Sequence, residues 1–210
     1  MTAFGRKRVE ISAGAILLWA VLFYLDEDGL VPLCLLSCAL HELGHLLAIY
    51  ALGGHAACLR LSCVGAELRL SARDRLRPGA QILSALAGPL VNLAAGFAAL
   101  RLAGEGGWCF AGINFALAAF NLLPAGELDG GRALSCLLSP LLGADRARQA
   151  LALLSAALAA GLLAGGAVML ERGYLPLMPW CLGVWLLTAQ KKRKKHLQSS
   201  RRYDKLPWTQ

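Results

Sequence analysis

The stretch that decides the fold runs from residue 30 to residue 53 and reads LVPLCLLSCALHELGHLLAIYALG. Apart from the motif His41-Glu42-Leu43-Gly44-His45, nothing in this run is charged. It is long enough to cross a bilayer, which takes about 20 mostly apolar residues. Ionisable side chains inside such a segment are costly and therefore indicate a functional site. The sequence predicts a membrane helix that carries a polar site.

The motif has the form H-E-x-x-H. On a helix, two histidines four residues apart leave the same face, roughly 6 Å apart along the axis. One nitrogen of each imidazole can then reach a single Zn²⁺. Glu42 lies beside the metal, where it can take a proton from a zinc-bound water and pass it to a leaving amine. His41 and His45 are thus predicted ligands and Glu42 a predicted general base, and a third ligand has to come from elsewhere.

Composition favours a membrane protein. Of the 210 residues 57% are hydrophobic and the mean hydropathy is +0.55, whereas soluble domains are about 45–50% apolar. The net charge of +8 is attributed to cytoplasmic Lys and Arg, so no nucleic-acid partner is expected. The seven cysteines form no C-x-x-C pair and are expected to be small apolar residues. Cys34 and Cys38 share a helical face with His41 and His45, but they are not expected to bind the metal.

Six apolar segments predict an all-α polytopic membrane protein with about six transmembrane helices. A period-two alternation within 55–77 predicts a β-hairpin on or in the membrane interface. Gly161 and Gly165 give the fifth span a small-residue face for close helix packing. Residues 1–190 are interpreted as one membrane domain and 191–210 as a basic cytoplasmic tail that contacts anionic lipid. The predicted spans are 9–25, 30–53, 79–100, 108–123, 147–170 and 174–189.

The distribution of basic residues predicts the orientation. With the N-terminus inside, all of the 21 Lys and Arg except Arg101 and Arg172 fall on or near the inner side, as the positive-inside rule requires. Both termini are therefore predicted to be cytoplasmic. His41 and His45 then lie in the inner half of the second span, and the end of the fourth span brings Asp129 to the same side.

Asp129 is the best candidate for the third ligand. It follows Asn121 and Pro124 just after a membrane helix broken by Pro and Gly, and such backbone is tolerated at membrane depth where it lines a polar cavity. Two histidines and one carboxylate leave a fourth position for water, as a catalytic zinc site requires. Two alternatives stay open: Asp129 caps the helix beginning at Gly130, or Glu127 is the ligand.

Three stretches taken together resemble the site-2 family of intramembrane zinc metalloproteases. They are HELGH in the second span, AGPLVN at 87–92 and NLLPAGELDGGR at 121–132. The six-span layout is most similar to the stage IV sporulation protein FB branch. Members of that branch commonly carry a C-terminal CBS domain, and the roughly 20 residues after the last predicted span are too few for one.

The resemblance implies an endopeptidase in the bacterial cell membrane. Its substrate would be a membrane-tethered protein cleaved in regulated intramembrane proteolysis, sporulation sigma-factor processing being one such pathway, with membrane regulatory partners. The hairpin would offer an edge strand to the substrate. The implied roles are zinc binding by His41, His45 and Asp129, acid/base catalysis by Glu42, and shaping of the substrate cleft by Asn121 and Pro124.

Two other functions stay open. A zinc-binding membrane scaffold would keep the fold without turnover, but it would not need Glu42. A metal transporter would usually carry polar residues on several spans, whereas here they are concentrated at two places.

Overall fold

A computed structural model of the protein describes residues 8–11, 13–54, 56–62, 65–70, 76–126, 128–175 and 177–188. The chain forms two compact units, Met1–Leu122 and Leu123–Gln210. The predicted residues Glu127 and 191–210 lie outside the described residues.

Helices make up most of the described chain, which confirms the predicted helical class. A single 3-10 turn, Gly104–Gly107, joins the third helix to the fourth. The helices are α1 (Ala13–Leu25), α2 (Leu30–Ala51), α3 (Pro78–Ala103), α4 (Trp108–Asn121), α5 (Asp129–Leu142), α6 (Ala144–Glu171) and α7 (Leu177–Thr188).

Three short strands form one small sheet in the first unit, in the order β1-β2-β3. They are β1 (Arg8–Ile11), β2 (Ala56–Ser62) and β3 (Gly65–Leu70). β1 runs parallel to β2, and β2 pairs antiparallel with β3. The last two strands fall within 55–77, where the sequence analysis expects a hairpin.

Within the described residues, three helical stretches are long and apolar enough to cross a membrane. They are Leu30–Ala51, the 44-residue stretch Pro78–Asn121 that contains α3 and α4, and Ala144–Glu171. The structure thus supports three spans by length and composition, not the six that the sequence predicts. The first predicted span, 9–25, is divided between β1 and α1. The 13 residues of α1 extend about 20 Å, less than the hydrocarbon thickness of about 30 Å.

In the first unit, α2, α3 and α4 pack together through small and polar residues. A Cβ on Gly44 of α2 would lie 2.8 Å from the carbonyl oxygen of Ala87 in α3, so only glycine permits this close crossing. Many of the exposed residues of these helices are large and apolar, as expected for a surface that faces lipid. The buried polar side chains of the three helices are Ser37, His41, His45, Asn92 and Asn114.

In the second unit, α6 packs through one face that contains Leu151, Ser155 and Ala159. The predicted packing face at Gly161 and Gly165 is wrong, because both residues are exposed and no described atom lies within 4 Å of a Cβ built on either. Gly161 comes two residues after Ala159, and two residues turn a helix by about 200°. The glycines therefore lie on the opposite side of α6.

Candidate metal centre

The histidine pair lies on α2, whose start is set by Asp26. The two carboxylate oxygens of Asp26 accept hydrogen bonds from the backbone N–H groups of Leu30 and Val31, at 2.8 and 2.9 Å. These bonds satisfy donors that have no partner within a helix. Three turns further on, His41 and His45 are 6% and 7% exposed. Their Nε2 atoms lie 3.1 Å apart.

Hydrogen bonds define the tautomer of each imidazole. Nδ1 of His41 lies 2.6 Å from Oδ1 of Asn92, and Nδ1 of His45 lies 2.7 Å from the carbonyl oxygen of Ser84. A carbonyl oxygen can only accept. Both histidines therefore carry a proton on Nδ1, and in the neutral ring Nε2 then holds the lone pair.

This arrangement fits a zinc ion. Two nitrogens, each about 2.05 Å from a tetrahedral zinc, lie about 3.3 Å apart, close to the observed 3.1 Å between the Nε2 atoms. Two lone pairs at that distance repel each other, and a cation placed between them removes the repulsion. The second nitrogen of each ring is already bonded to an oxygen, as is usual for histidines that bind metal.

Gly88 of α3 provides the space for the two rings. A Cβ on this residue would lie 2.5 Å from Nε2 of His45 and 2.9 Å from Cε1 of His41. Pro89 follows inside the same helix, where it removes one backbone hydrogen bond and distorts the turn. The backbone of α3 therefore approaches the imidazoles more closely than any residue with a side chain would permit.

Glu42 directly follows His41 and is half-buried. It precedes His45 by three residues, a spacing that places two side chains next to each other on a helix. A carboxylate at this position is suited to exchange a proton with a molecule at the histidine pair.

Asp129 lies in the second unit, as the first residue of α5, and is 6% exposed. Leu128 occupies the N-cap position, and no side chain forms a cap hydrogen bond there. Asp129 thus lies in the first turn of α5, one residue after the N-cap position. Its Oδ1 lies 3.5 Å from Nη1 of Arg132, whose side chain is 60% exposed, a contact too long and too open to water to stabilise the carboxylate strongly.

A tight turn holds the start of α5. The backbone N–H of Leu128 donates to the carbonyl of Ala125 at 2.9 Å. The N–H of Gly126 donates to the buried Oγ of Ser155 at 3.0 Å. A Cβ on Gly131 would collide with the Ala125 carbonyl. The backbone that leads into Asp129 is therefore fixed from both sides within this unit.

The remaining predicted residues have different surroundings. Asn121 ends α4, is half-buried, and donates from Nδ2 to the carbonyl of Leu117 at 3.0 Å. Pro124 is half-buried in the turn that opens the second unit. Cys34 and Cys38 are exposed, whereas the two histidines are buried. The buried face of α2 passes through Ser37 instead.

The candidate metal ligands among the described residues are therefore His41, His45 and Asp129, each of which is buried and offers one ligand atom. Ser37 and Asn114 were not predicted as site residues, and Gly88 and Asn92 entered only as part of the stretch 87–92 that carries the family resemblance. One signal could have identified the two asparagines, since a polar amide inside an apolar span needs a buried partner.

Known proteins resemble this chain in sequence and in fold. No family model matches the chain. The chain is 32% identical over 170 residues to the Rip3 protein of Mycobacterium tuberculosis, in both the Erdman and the H37Rv strain. Rip3 is named for a zinc metalloprotease. The match covers 71% of this chain and 43% of Rip3, so the chain spans less than half of that relative.

The solved structure of the site-2 protease from Methanocaldococcus jannaschii matches with a TM-score of 0.66 and 21% identity. The match covers 91% of this chain and 92% of the solved chain. The similarity to the sporulation branch that the sequence suggests is not among these findings. The chain therefore has the fold of a site-2 protease, and over 71% of its length it is similar in sequence to a protein named for a zinc metalloprotease.

Proposed function

We propose that the protein is an intramembrane zinc endopeptidase of the site-2 type. The observation that carries this proposal is the histidine pair: two imidazoles, buried on an apolar helix, bring their Nε2 atoms to 3.1 Å. Glu42 adjoins them on the same helix. A metal-binding scaffold would need the histidines but not the adjacent carboxylate, and a hydrolase needs both.

The proposed zinc ligands are His41, His45 and Asp129. Two nitrogens and one carboxylate oxygen form a donor set used by hydrolytic zinc enzymes, with a fourth position left for water or substrate. The burial of Asp129 and the tight turn that precedes it support this choice. The relative Rip3, named for a zinc metalloprotease, supports zinc as the metal.

The chain's own residues would carry the proton transfers. A bound zinc ion would supply Lewis acidity, which acidifies water and polarises the scissile carbonyl. Glu42 accepts the proton of the attacking water and then donates it to the departing amine. Asn121 and Pro124 are proposed to contact the extended substrate. β3, at one edge of the sheet, is proposed to pair with the substrate backbone, because a peptide in a helix hides its amides and a paired strand presents them.

The substrate class follows from the apolar helices around the site. We propose a membrane-tethered protein that is cleaved within or near the bilayer, with both termini of the enzyme in the cytoplasm and with membrane partners that regulate access. Processing of a sporulation sigma factor is one such pathway. The layout of six spans remains part of this proposal.

Substitution of the base tests the activity. Glu42→Gln keeps the size of the side chain and removes its basicity, so purified protein should retain zinc while cleavage falls by about 10²-fold or more. A panel of labelled single-span membrane proteins serves as substrate, with products identified by mass spectrometry. A chelator should abolish wild-type cleavage, and added zinc should restore it.

Two results would contradict this proposal. Near-wild-type cleavage by Glu42→Gln would show that another group is the base. Stoichiometric zinc in a wild-type protein that cleaves none of the panel, in contrast, would favour the metal-binding scaffold or a metal transporter.

A further inference from the structure

A closed network of hydrogen bonds lies behind His41 in the first unit. Its members are Ser37 of α2, Asn92 of α3 and Asn114 of α4, and each side chain is 0% exposed. None of them is a proposed metal ligand or base. Because buried polar groups are costly unless they are paired, three of them at one helix crossing require an explanation.

Every polar hydrogen of these side chains has an acceptor. Nδ2 of Asn92 donates to the carbonyl of Ser37 at 3.0 Å and to Oδ1 of Asn114 at 2.7 Å. Nδ2 of Asn114 donates to Oγ of Ser37 at 2.9 Å and to the carbonyl of Phe110 at 2.9 Å. The Ser37 hydroxyl donates to the carbonyl of Leu33 at 2.8 Å. The remaining polar atom of the Asn92 side chain is Oδ1, and it faces Nδ1 of His41.

The network permits one orientation of the Asn92 amide. If the amide were rotated by 180°, its oxygen would face the carbonyl of Ser37, which can only accept. The orientation of Asn114 is set in the same way by the carbonyl of Phe110. Backbone carbonyls on two helices therefore determine which atom of Asn92 meets His41.

We propose that Asn92, held in place by Asn114 and Ser37, is a positioning residue that keeps the proton of His41 on Nδ1 and so presents Nε2 as a ligand. A rotated amide would present N–H to Nδ1 and force the proton onto Nε2, where it blocks metal binding. This inference deepens the proposed function and relies on it for the metal, but the tautomer is a property of the metal-free protein.

Two substitutions of Asn92 distinguish the loss of the hydrogen-bond acceptor for His41 from the loss of the bonds to Ser37 and Asn114. Both Asn92→Leu and Asn92→Asp disturb the bonds to Ser37 and Asn114, so both should lower the thermal unfolding temperature. Only Asn92→Leu removes the acceptor for His41. We expect its zinc affinity, measured by competition with a chelator, to fall by about 10–100-fold, the usual effect of losing a group that orients a ligand. Asn92→Asp should remain within about threefold of wild type.

The tautomer gives a second readout that does not depend on metal or activity. The protein contains four histidines, so the His41 signals in ¹⁵N-histidine spectra of the metal-free protein can be assigned by difference with His41→Gln. Wild type and Asn92→Asp should show His41 protonated on Nδ1. Asn92→Leu should show protonated Nε2, and Asn114→Leu a mixture of the two forms.

Ser139→Ala is the matched control, because Ser139 also donates to a carbonyl four residues back, that of Ser135, and should change neither readout. If Asn92→Leu lowers only the unfolding temperature and keeps both the Nδ1–H form and the wild-type zinc affinity, the network merely joins three helices and the inference is wrong. If the wild type binds no zinc yet its tautomer responds as expected, the inference holds and the proposed function fails.

Discussion

At the scale of single residues, the histidine pair depends on one contact along a helix and on one contact between distant parts of the chain. The spacing of His41 and His45 is written in the chain, so a helix alone brings their rings together. The partner that orients His41 lies 51 positions away, and no periodicity links Asn92 to it. In the sequence, Asn114 is likewise an isolated amide in an apolar helix, and its partners Asn92 and Ser37 lie on two other helices.

Gly88→Ala tests the space around the imidazoles. The added Cβ would overlap Nε2 of His45 at 2.5 Å, so one ring has to move away from the position where both nitrogens converge. We expect zinc affinity to fall by about tenfold or more, as when a ligand loses its orientation. The measurement is chelator competition on purified protein.

The matched control for Gly88→Ala is Gly112→Ala in α4, where nothing described lies within 4 Å of the new methyl group. Alanine is the better helix former by about 1 kcal/mol, so Gly112→Ala should keep zinc and should not lose stability. Wild-type zinc affinity in Gly88→Ala would show that the rings can converge from another position.

Asp129→Asn tests the third ligand. An amide replaces an anionic oxygen with a neutral one, and we expect zinc affinity to fall by about 100-fold or more, at the upper end of effects seen for groups that only orient ligands. A helix cap would survive the change, because Asn caps about as well as Asp. Zinc stoichiometry by atomic emission distinguishes the two outcomes.

Glu127→Gln is the companion variant and should retain its zinc. The assignment of Asp129 is contradicted if Asp129→Asn keeps full zinc while Glu127→Gln loses it, a result that would move the ligand to Glu127.

At the scale of elements, composition predicted the helices better than their lengths or faces. α2 was predicted at 30–53 and extends from Leu30 to Ala51, because an uninterrupted apolar run and the Asp26 carboxylate define its start. The stretch 9–25 is divided between β1 and α1 instead of forming one helix, since apolar character alone does not distinguish a strand from the first turns of a helix. The spacing of Gly161 and Gly165 predicted the wrong packing face of α6, because spacing alone does not indicate which side of a helix contacts a neighbour.

Ser155 shows that α6 anchors the turn before α5, a role that was not predicted from the sequence. From the middle of α6, its Oγ accepts the N–H of Gly126 and donates to the carbonyl of Leu151 at 2.8 Å. Ser155→Ala should lower the free energy of unfolding by about 1 kcal/mol and loosen the turn before Asp129. If Asp129 binds zinc, the affinity should also fall, by up to about tenfold.

Both quantities can be measured by thermal unfolding and chelator competition, with Ser139→Ala of α5 as the comparison. Unchanged stability in Ser155→Ala would show that the hydroxyl does not anchor the turn. Lower stability with wild-type zinc affinity would separate the turn from the metal.

At the scale of the whole molecule, the charge distribution and the helix lengths indicate different numbers of membrane spans. All basic residues but Arg101 and Arg172 fit one side of a six-span layout. In the part of the chain that the structure describes, three helical stretches have the length and composition of a span. Short helices can cross a locally thinned bilayer at a modest cost. Length alone therefore does not decide how often the chain crosses, and the orientation of the loops has to be measured.

Reporter fusions measure it directly. Six spans with a cytoplasmic N-terminus place reporters at Gly29, Gly106 and Gly173 outside and reporters at Arg75 and Gln210 inside, because Lys and Arg are retained on the cytoplasmic side. Paired alkaline phosphatase and fluorescent-protein fusions at each site give opposite signals on the two sides, and each fusion serves as the control for the other. A reporter at Arg75 that reads outside would reverse the predicted orientation of α2 and α3, and it would remove the argument that His45 and Asp129 share the cytoplasmic side.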